Sequence, residues 1–193
     1  MTLSRKIDPA VWYHADWEQC DDWIIELTDK EIQELKDAVS RSQAVPIAKL
    51  RVGSFTLPAF ASRIRKLRTE LIYGRGFAVI RGLPVHEWDR ESSARAYYGI
   101  GCHLGGPVSQ NAQGHLLGHV YDLDFDPLDP LNRVYQTNYR QLLHTESTDI
   151  VGLLCLQPAR TGGQSPICSS STIYQEIAER RTDLLEVLCR RFH

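Results

Sequence analysis

The stretch "LHTESTDIVGLLCLQPARTGGQS" at residues 143–165 decides how this chain is read. It places a histidine two residues before a glutamate, at the head of an apolar, β-branched run. On an extended segment, residues two apart point to the same face, so His144 and Glu146 can hold one ion between them. An HxE triplet taken alone is more often a polar pair at a strand edge. The chemistry that would lift it above that is a non-haem ferrous site, which takes two histidines and one carboxylate on one face of an octahedron. Two ligands at this spacing supply adjacent corners of such a face.

The 193 residues are 42% hydrophobic and 24% charged, the balance of an ordinary folded domain. A net charge of −2 removes the electrostatic argument for nucleic acid or an anionic membrane as partner and leaves small-molecule chemistry. No apolar run approaches the roughly 18 residues of a membrane span, and "MTLSRKIDPAVWYHADWEQC" lacks the apolar core of a secretory signal, so a cytoplasmic, intracellular protein is expected. Five scattered cysteines form neither a disulfide framework nor a CxxC zinc motif and read as reduced thiols, mostly in the core.

Upstream, Thr28 and Glu31 have the spacing of a capping box and predict a helix over 29–40. A second helix is expected from Pro58 to a left-handed cap at Gly74, with Phe60, Ile64, Leu67 and Leu71 on one face. Its other face, Arg63, Arg65, Lys66 and Arg68, reads as solvated surface, since no aromatic residues interleave with the charges. "GFAVIRGLP" reads as a short buried strand, and "DRESSARAYYGIG" as a helix capped by Asp89 and ended at Gly99 or Gly101. Strands are expected at 115–121, 133–138, 150–156 and from "PICSS", with a turn at "RTGGQS". Ser171 to the end is expected to be helical with a break near Thr182.

Other candidate sites are weaker. "DLDFDPLDPLNR" opens like a calcium loop but has Pro127 where a glycine is needed and Arg133 where a bidentate glutamate is needed, so it reads as an acidic turn. His115 and His119 lack the glutamate of HExxH and stand on a strand-like segment, and His103 has no partners.

Taken together, "GFAVIRGLP", "LGGPVSQNAQG" running into "GHVYD", "YQTNYRQLLHTES" and "VGLLCLQPARTGGQSPICSS" resemble the taurine dioxygenase-like (TauD/TfdA) branch of the Fe(II)- and 2-oxoglutarate-dependent oxygenases. The tryptophan-rich start "VWYHADWEQCDDWIIELT" looks like the lead-in of such proteins. The resemblance implies an α+β fold: a double-stranded β-helix (jelly roll) with outer helices, present here as an incomplete, amino-terminal part of one domain over 1–193. Residues 1–56 would be the lead-in with its helix, and 57–193 the outer helices and first barrel strands.

By the same resemblance His144 and Glu146 are the first iron ligands, with glutamate where aspartate is usual. Ser165 and Asn138 fall near the 2-oxoglutarate, and Arg140 and Asn111 on the side of a small-molecule substrate. The second histidine ligand, and the arginine that grips the far carboxylate of 2-oxoglutarate, are expected beyond residue 193. His193 itself follows a helical segment, where a rigid ligand is not supported. The implied activity is a dioxygenase using Fe(II) and 2-oxoglutarate, inactive as this chain alone, with a homo-oligomer as one outcome of uncovered strand edges. Two other classes stay open: a non-catalytic partial barrel acting as a binding module or remnant, and a structural zinc protein using His144 with other histidines.

Overall fold

The computed structural model describes residues 8–129 and 131–191, which fall into two compact units. The first holds the described residues up to Asp37 together with 57–87 and those from Ile167 onward; the second holds 38–56 and 88–166. His193 lies outside the described residues.

In the first unit, β1 (Ile24–Glu26) pairs in parallel with β2 (Val79–Arg81), Ile25 opposite Ile80. Helix α1 (Asp29–Arg41) begins as its capping box predicts. The Glu31 carboxylate accepts the Thr28 N–H at 2.9 Å, and the Thr28 hydroxyl accepts the Glu31 N–H at 3.3 Å. Helix α2 (Ala61–Tyr73) has no capping side chain of its own. The Glu34 carboxylate, one turn along α1, accepts the Ala59 and Phe60 N–H groups at 2.8 and 3.0 Å and so satisfies two donors at the start of α2. Leu35, Leu57, Phe60 and Ile64 are almost fully buried in this unit.

The basic face of α2 is not uniformly solvated. Arg63 pairs with buried Glu31 at 2.5 Å and donates to the Glu26 carbonyl, because a buried carboxylate needs a cation and donors to remain charged. Gly74 does end α2, but its φ is −109°. A Cβ there would come within 2.9 Å of the Glu70 carbonyl, so close backbone approach, not handedness, excludes a side chain, and the left-handed residue is Gly76 at φ 84°.

Trp12, Trp17 and Trp23 gather around Phe77 with ring centroids 5.0 to 5.8 Å from it. The lead-in is tied to α4 (Ser170–Arg180): the Trp12 N–H donates to the Thr172 hydroxyl, and that hydroxyl donates back to the Trp12 carbonyl, both at 2.9 Å. Helix α5 (Thr182–Leu188) follows a break at Arg181, one residue from the expected place.

The second unit is organised by α3 (Arg90–Leu104), capped as expected by Asp89, whose side chain accepts the Ser92 N–H. The helix runs through Gly99 and Gly101 to Gly105, because Gly99 is a packing residue: a Cβ would overlap the ring of buried Phe55. Arg95, 3% exposed, donates to the Ser42 and Val45 carbonyls at 2.7 and 2.6 Å and pairs with Glu91 at 2.9 Å. Tyr98, Cys102 and His103 also hydrogen-bond carbonyls of the 48–55 loop. The histidine that had no sequence partner is thus a structural one.

The described residues combine helices with one two-stranded parallel sheet, and beyond α3 the expected barrel strands are not present among them. Among the described residues the strands are β1 and β2, and "GFAVIRGLP" supplies a three-residue strand with Val79 and Arg81 exposed, not a buried one. Residues 115–121, 150–156 and those after Pro166 have no ladder, and 133–138 contains a 3-10 turn at Val134–Gln136. β-Branched composition expresses a preference for a pleated, half-buried surface, and it needs a neighbouring strand to be realised. Val151 and Leu153 have none and stand 55% and 74% exposed.

Gly99→Ala is expected to destabilise this unit by about 1–3 kcal/mol through overpacking against Phe55. A urea-unfolding midpoint unchanged from the native chain contradicts that packing.

Candidate functional site

His144 and Glu146 stand on an irregular segment of the second unit, not on a strand. They nevertheless meet: His144 Nε2 lies 2.9 Å from Glu146 Oε1, with both side chains about half exposed. The ring is oriented from its other side, where Nδ1 lies 2.8 Å from the Leu142 carbonyl and donates to it. A backbone acceptor on Nδ1 leaves Nε2 as the atom free to take a proton or a metal. The Leu142 carbonyl, and after it the Glu146 carboxylate, raise the His144 pKa above the ordinary imidazole range, since both stabilise the imidazolium. With that proton in place, Nε2–H donates to Glu146.

The same separation suits a metal. Ligand atoms on adjacent corners of an octahedron, each about 2.0 to 2.2 Å from the ion, lie about 2.8 to 3.1 Å apart. The separation thus matches that of adjacent ligands, and turning the ring so that Nε2 points between the two side chains would let a shared divalent ion replace the shared proton. Gln141 was not singled out in the sequence, yet its Nε2 lies 3.3 Å from His144 Nε2, where it becomes a donor to the neutral ring. Neither Gln141 nor the Leu142 carbonyl carries a sequence signal, the one being a common polar residue and the other backbone.

The remaining candidates do not converge on the pair. Asn138, Arg140 and Ser165 are exposed and, among the described residues, make no hydrogen bond or ion pair with His144 or Glu146. Ser165 follows a turn whose Gly162 and Gly163 have φ of 71° and 75°, the left-handed backbone expected of "RTGGQS". Asn111 is committed to its own loop: Oδ1 accepts the Gln113 and His115 N–H groups, and Nδ2 lies 2.9 Å from His115 Nδ1.

The aspartates of "DLDFDPLDPLNR" turn on their own backbone. Asp122 and Asp126 accept N–H groups two residues on, at 2.9 Å, as does Asp129, with Pro130 outside the described residues. Among the described residues no group of three or more His, Cys, Asp or Glu side chains is arranged to hold a metal, and no helix is long and apolar enough to cross a membrane. Cys155, Cys168 and Cys189 are exposed thiols, not core residues as the sequence suggests, because the segments that carry them are not covered by a sheet.

The family model described as "Taurine catabolism dioxygenase TauD, TfdA family" matches residues 27–193. The taurine hydroxylase-like protein SAT17 of Stachybotrys chartarum is 27% identical over 191 residues, covering 94% of this chain and 49% of its own length. FR-33289 synthase of Streptomyces rubellomurinus is 28% identical over 179 residues, covering 91% of this chain and 53% of its own. The chain spans about half the length of these curated relatives.

In the metal-free chain, the His144 imidazole should titrate above the ordinary histidine range, and Glu146→Gln should bring it down. The sign follows from the raised folded-state pKa. While Glu146 is ionised, the contact contributes fully below the unfolded-state pKa of His144 and is lost as pH rises through the folded value. Imidazole NMR titrations of the two proteins check this, and coincident curves refute the pairing.

Proposed function

This chain belongs to the taurine catabolism dioxygenase TauD, TfdA family, and from that premise we propose that it carries the first two ligands, His144 and Glu146, of a site using Fe(II) and 2-oxoglutarate. The reaction proposed is hydroxylation of a small organic substrate by oxygen, with 2-oxoglutarate converted to succinate and CO2. The observation that carries this reading is the 2.9 Å approach of His144 Nε2 to Glu146 Oε1, with the ring held from behind by the Leu142 carbonyl. That donor set, one imidazole and one carboxylate, fits a ferrous ion. When bound, the ion supplies the oxygen chemistry.

The chain's own residues bind and orient. The Leu142 carbonyl fixes the tautomer of the His144 ring, so that Nε2 would be the nitrogen offered to the ion. Glu146 is one methylene longer than the aspartate usual in the family, and the irregular backbone between the two ligands accommodates that length at the observed separation. Ser165 and Asn138 are proposed to contact the 2-oxoglutarate. Arg140 and Asn111 are proposed on the substrate side, Asn111 by holding the 109–115 loop in shape through its bonds to His115. A further histidine and the arginine that pairs with the far carboxylate would come from sequence matching the other half of the relatives.

With two ligands the 193 residues alone should not sustain turnover, because an ion so held keeps most of its shell for water and lacks the supports that preorganise it. The experiment is succinate formation with ferrous iron, ascorbate and 2-oxoglutarate, for this chain and for a protein of the relatives' full length. The expected outcome is production by the long protein alone, abolished by His144→Ala. A long His144→Ala protein as active as its parent overturns the metal assignment, and sustained His144-dependent production by the 193 residues overturns their inactivity.

A further inference from the structure

Residues 138–166, which carry His144 and Glu146, make almost all their hydrogen bonds to near neighbours in sequence: Tyr139 to Thr137, Gln141 to His144, His144 to Leu142 and Glu146, Thr148 to Ile150. Among the described residues, one hydrogen bond joins this stretch to a helix of the same unit. The Tyr97 hydroxyl of α3 donates to the Gly152 carbonyl at 2.5 Å. The contact is fitted on both sides. A Cβ at Gly152 would lie 2.8 Å from the Tyr97 Oη and 3.4 Å from its ring, so the backbone approaches the phenol as closely as it does because residue 152 has no side chain. Tyr97 stands between Ala96 and Tyr98, both buried, on the helix that Arg95 clamps to the 42–45 loop. Tyr97 therefore holds the chain at Gly152, six residues past Glu146.

Resting on the metal reading above, we propose that Tyr97 is a positioning residue for the His144–Glu146 pair: by holding the Gly152 carbonyl it sets where on the second unit the pair is presented. The internal geometry of the pair does not need it, since the Leu142, His144 and Glu146 contacts span two residues each. What Tyr97 fixes is the place of that preassembled element relative to α3. A site completed by further residues requires its two parts to be held to within a fraction of an ångström, which a stretch without paired strands cannot secure alone. Burial also raises the Tyr97 pKa, which keeps the phenol protonated and so a donor through the working pH range.

The test uses the 193-residue chain with all five cysteines, Cys102 on α3 included, changed to serine and a nitroxide placed at Ser147→Cys. In the parent, the label should broaden a defined set of α3 amide signals. Tyr97→Phe keeps the ring and removes the donor. Most of that broadening should be lost, while the unlabelled α3 spectrum and the His144 titration stay as in the parent, a separation that general loosening of the fold would not produce. Gly152→Ala should give the same loss by pushing a Cβ into the hydroxyl. Combined with Tyr97→Phe it should add nothing, because the atom it strikes is gone.

A Tyr97→Phe pattern identical to the parent's, or additive losses in the double variant, overturns the positioning role. A parallel titration of the unlabelled chain with cobalt(II), against His144→Ala, tests the underlying reading separately. Binding that is His144-dependent together with an unmoved Tyr97→Phe pattern leaves the metal reading standing and removes Tyr97. Binding indifferent to His144→Ala removes the pair, and the positioning role with it.

Discussion

The second unit depends on a guanidinium that has no water to turn to. Arg95 is buried on α3, and its charge is tolerated because the Ser42 and Val45 carbonyls and the Glu91 carboxylate surround it at hydrogen-bonding distance. Each of those partners is worth more than an ordinary surface contact, since leaving a buried donor unpaired costs about 1–3 kcal/mol. The consequence is geometric as well as energetic. The loop after α1 must pass α3 at that height, which brings Leu50 and Phe55 into the core and lets His103 and Cys102 reach carbonyls of the same loop. A helix so fixed can serve as the reference frame for the less regular chain that follows.

The candidate site shows how little regular structure a two-ligand element requires. A strand would place alternate side chains on one face. The pair meets without one: residues 141–146 form no helix, strand or turn, and the His144 ring, held by the Leu142 carbonyl two residues before it, reaches the Glu146 carboxylate two residues after it. A sequence interval therefore survives the loss of the secondary structure used to justify it.

That contrast runs through the molecule. Helix starts were legible wherever the signal was local: Thr28 with Glu31, and Asp89 with Ser92, need only neighbouring residues. Where the determinant sits elsewhere in the chain, the reading failed or was incomplete. Gly99 looked like a stop and is a contact surface for Phe55, and Arg63 looked solvated and neutralises a buried Glu31. The strand assignments at 115–121, 133–138 and 150–156 relied on residues that prefer sheets, and a sheet is a property of at least two segments. The family, by contrast, was legible because several separated motifs agreed, and its model matches residues 27–193.

The start of α2 carries one more consequence. The N–H groups just before its first residue, at Ala59 and Phe60, are received by Glu34, twenty-five and twenty-six positions earlier on another helix. The message that says where α2 begins is therefore not written in α2. Cut out as a peptide, residues 57–76 would keep their apolar stripe and their closing glycines but lose their punctuation, and the helix would fray from the front. Two neighbouring helices thus behave as a single grammatical unit, one supplying the capital letter of the other.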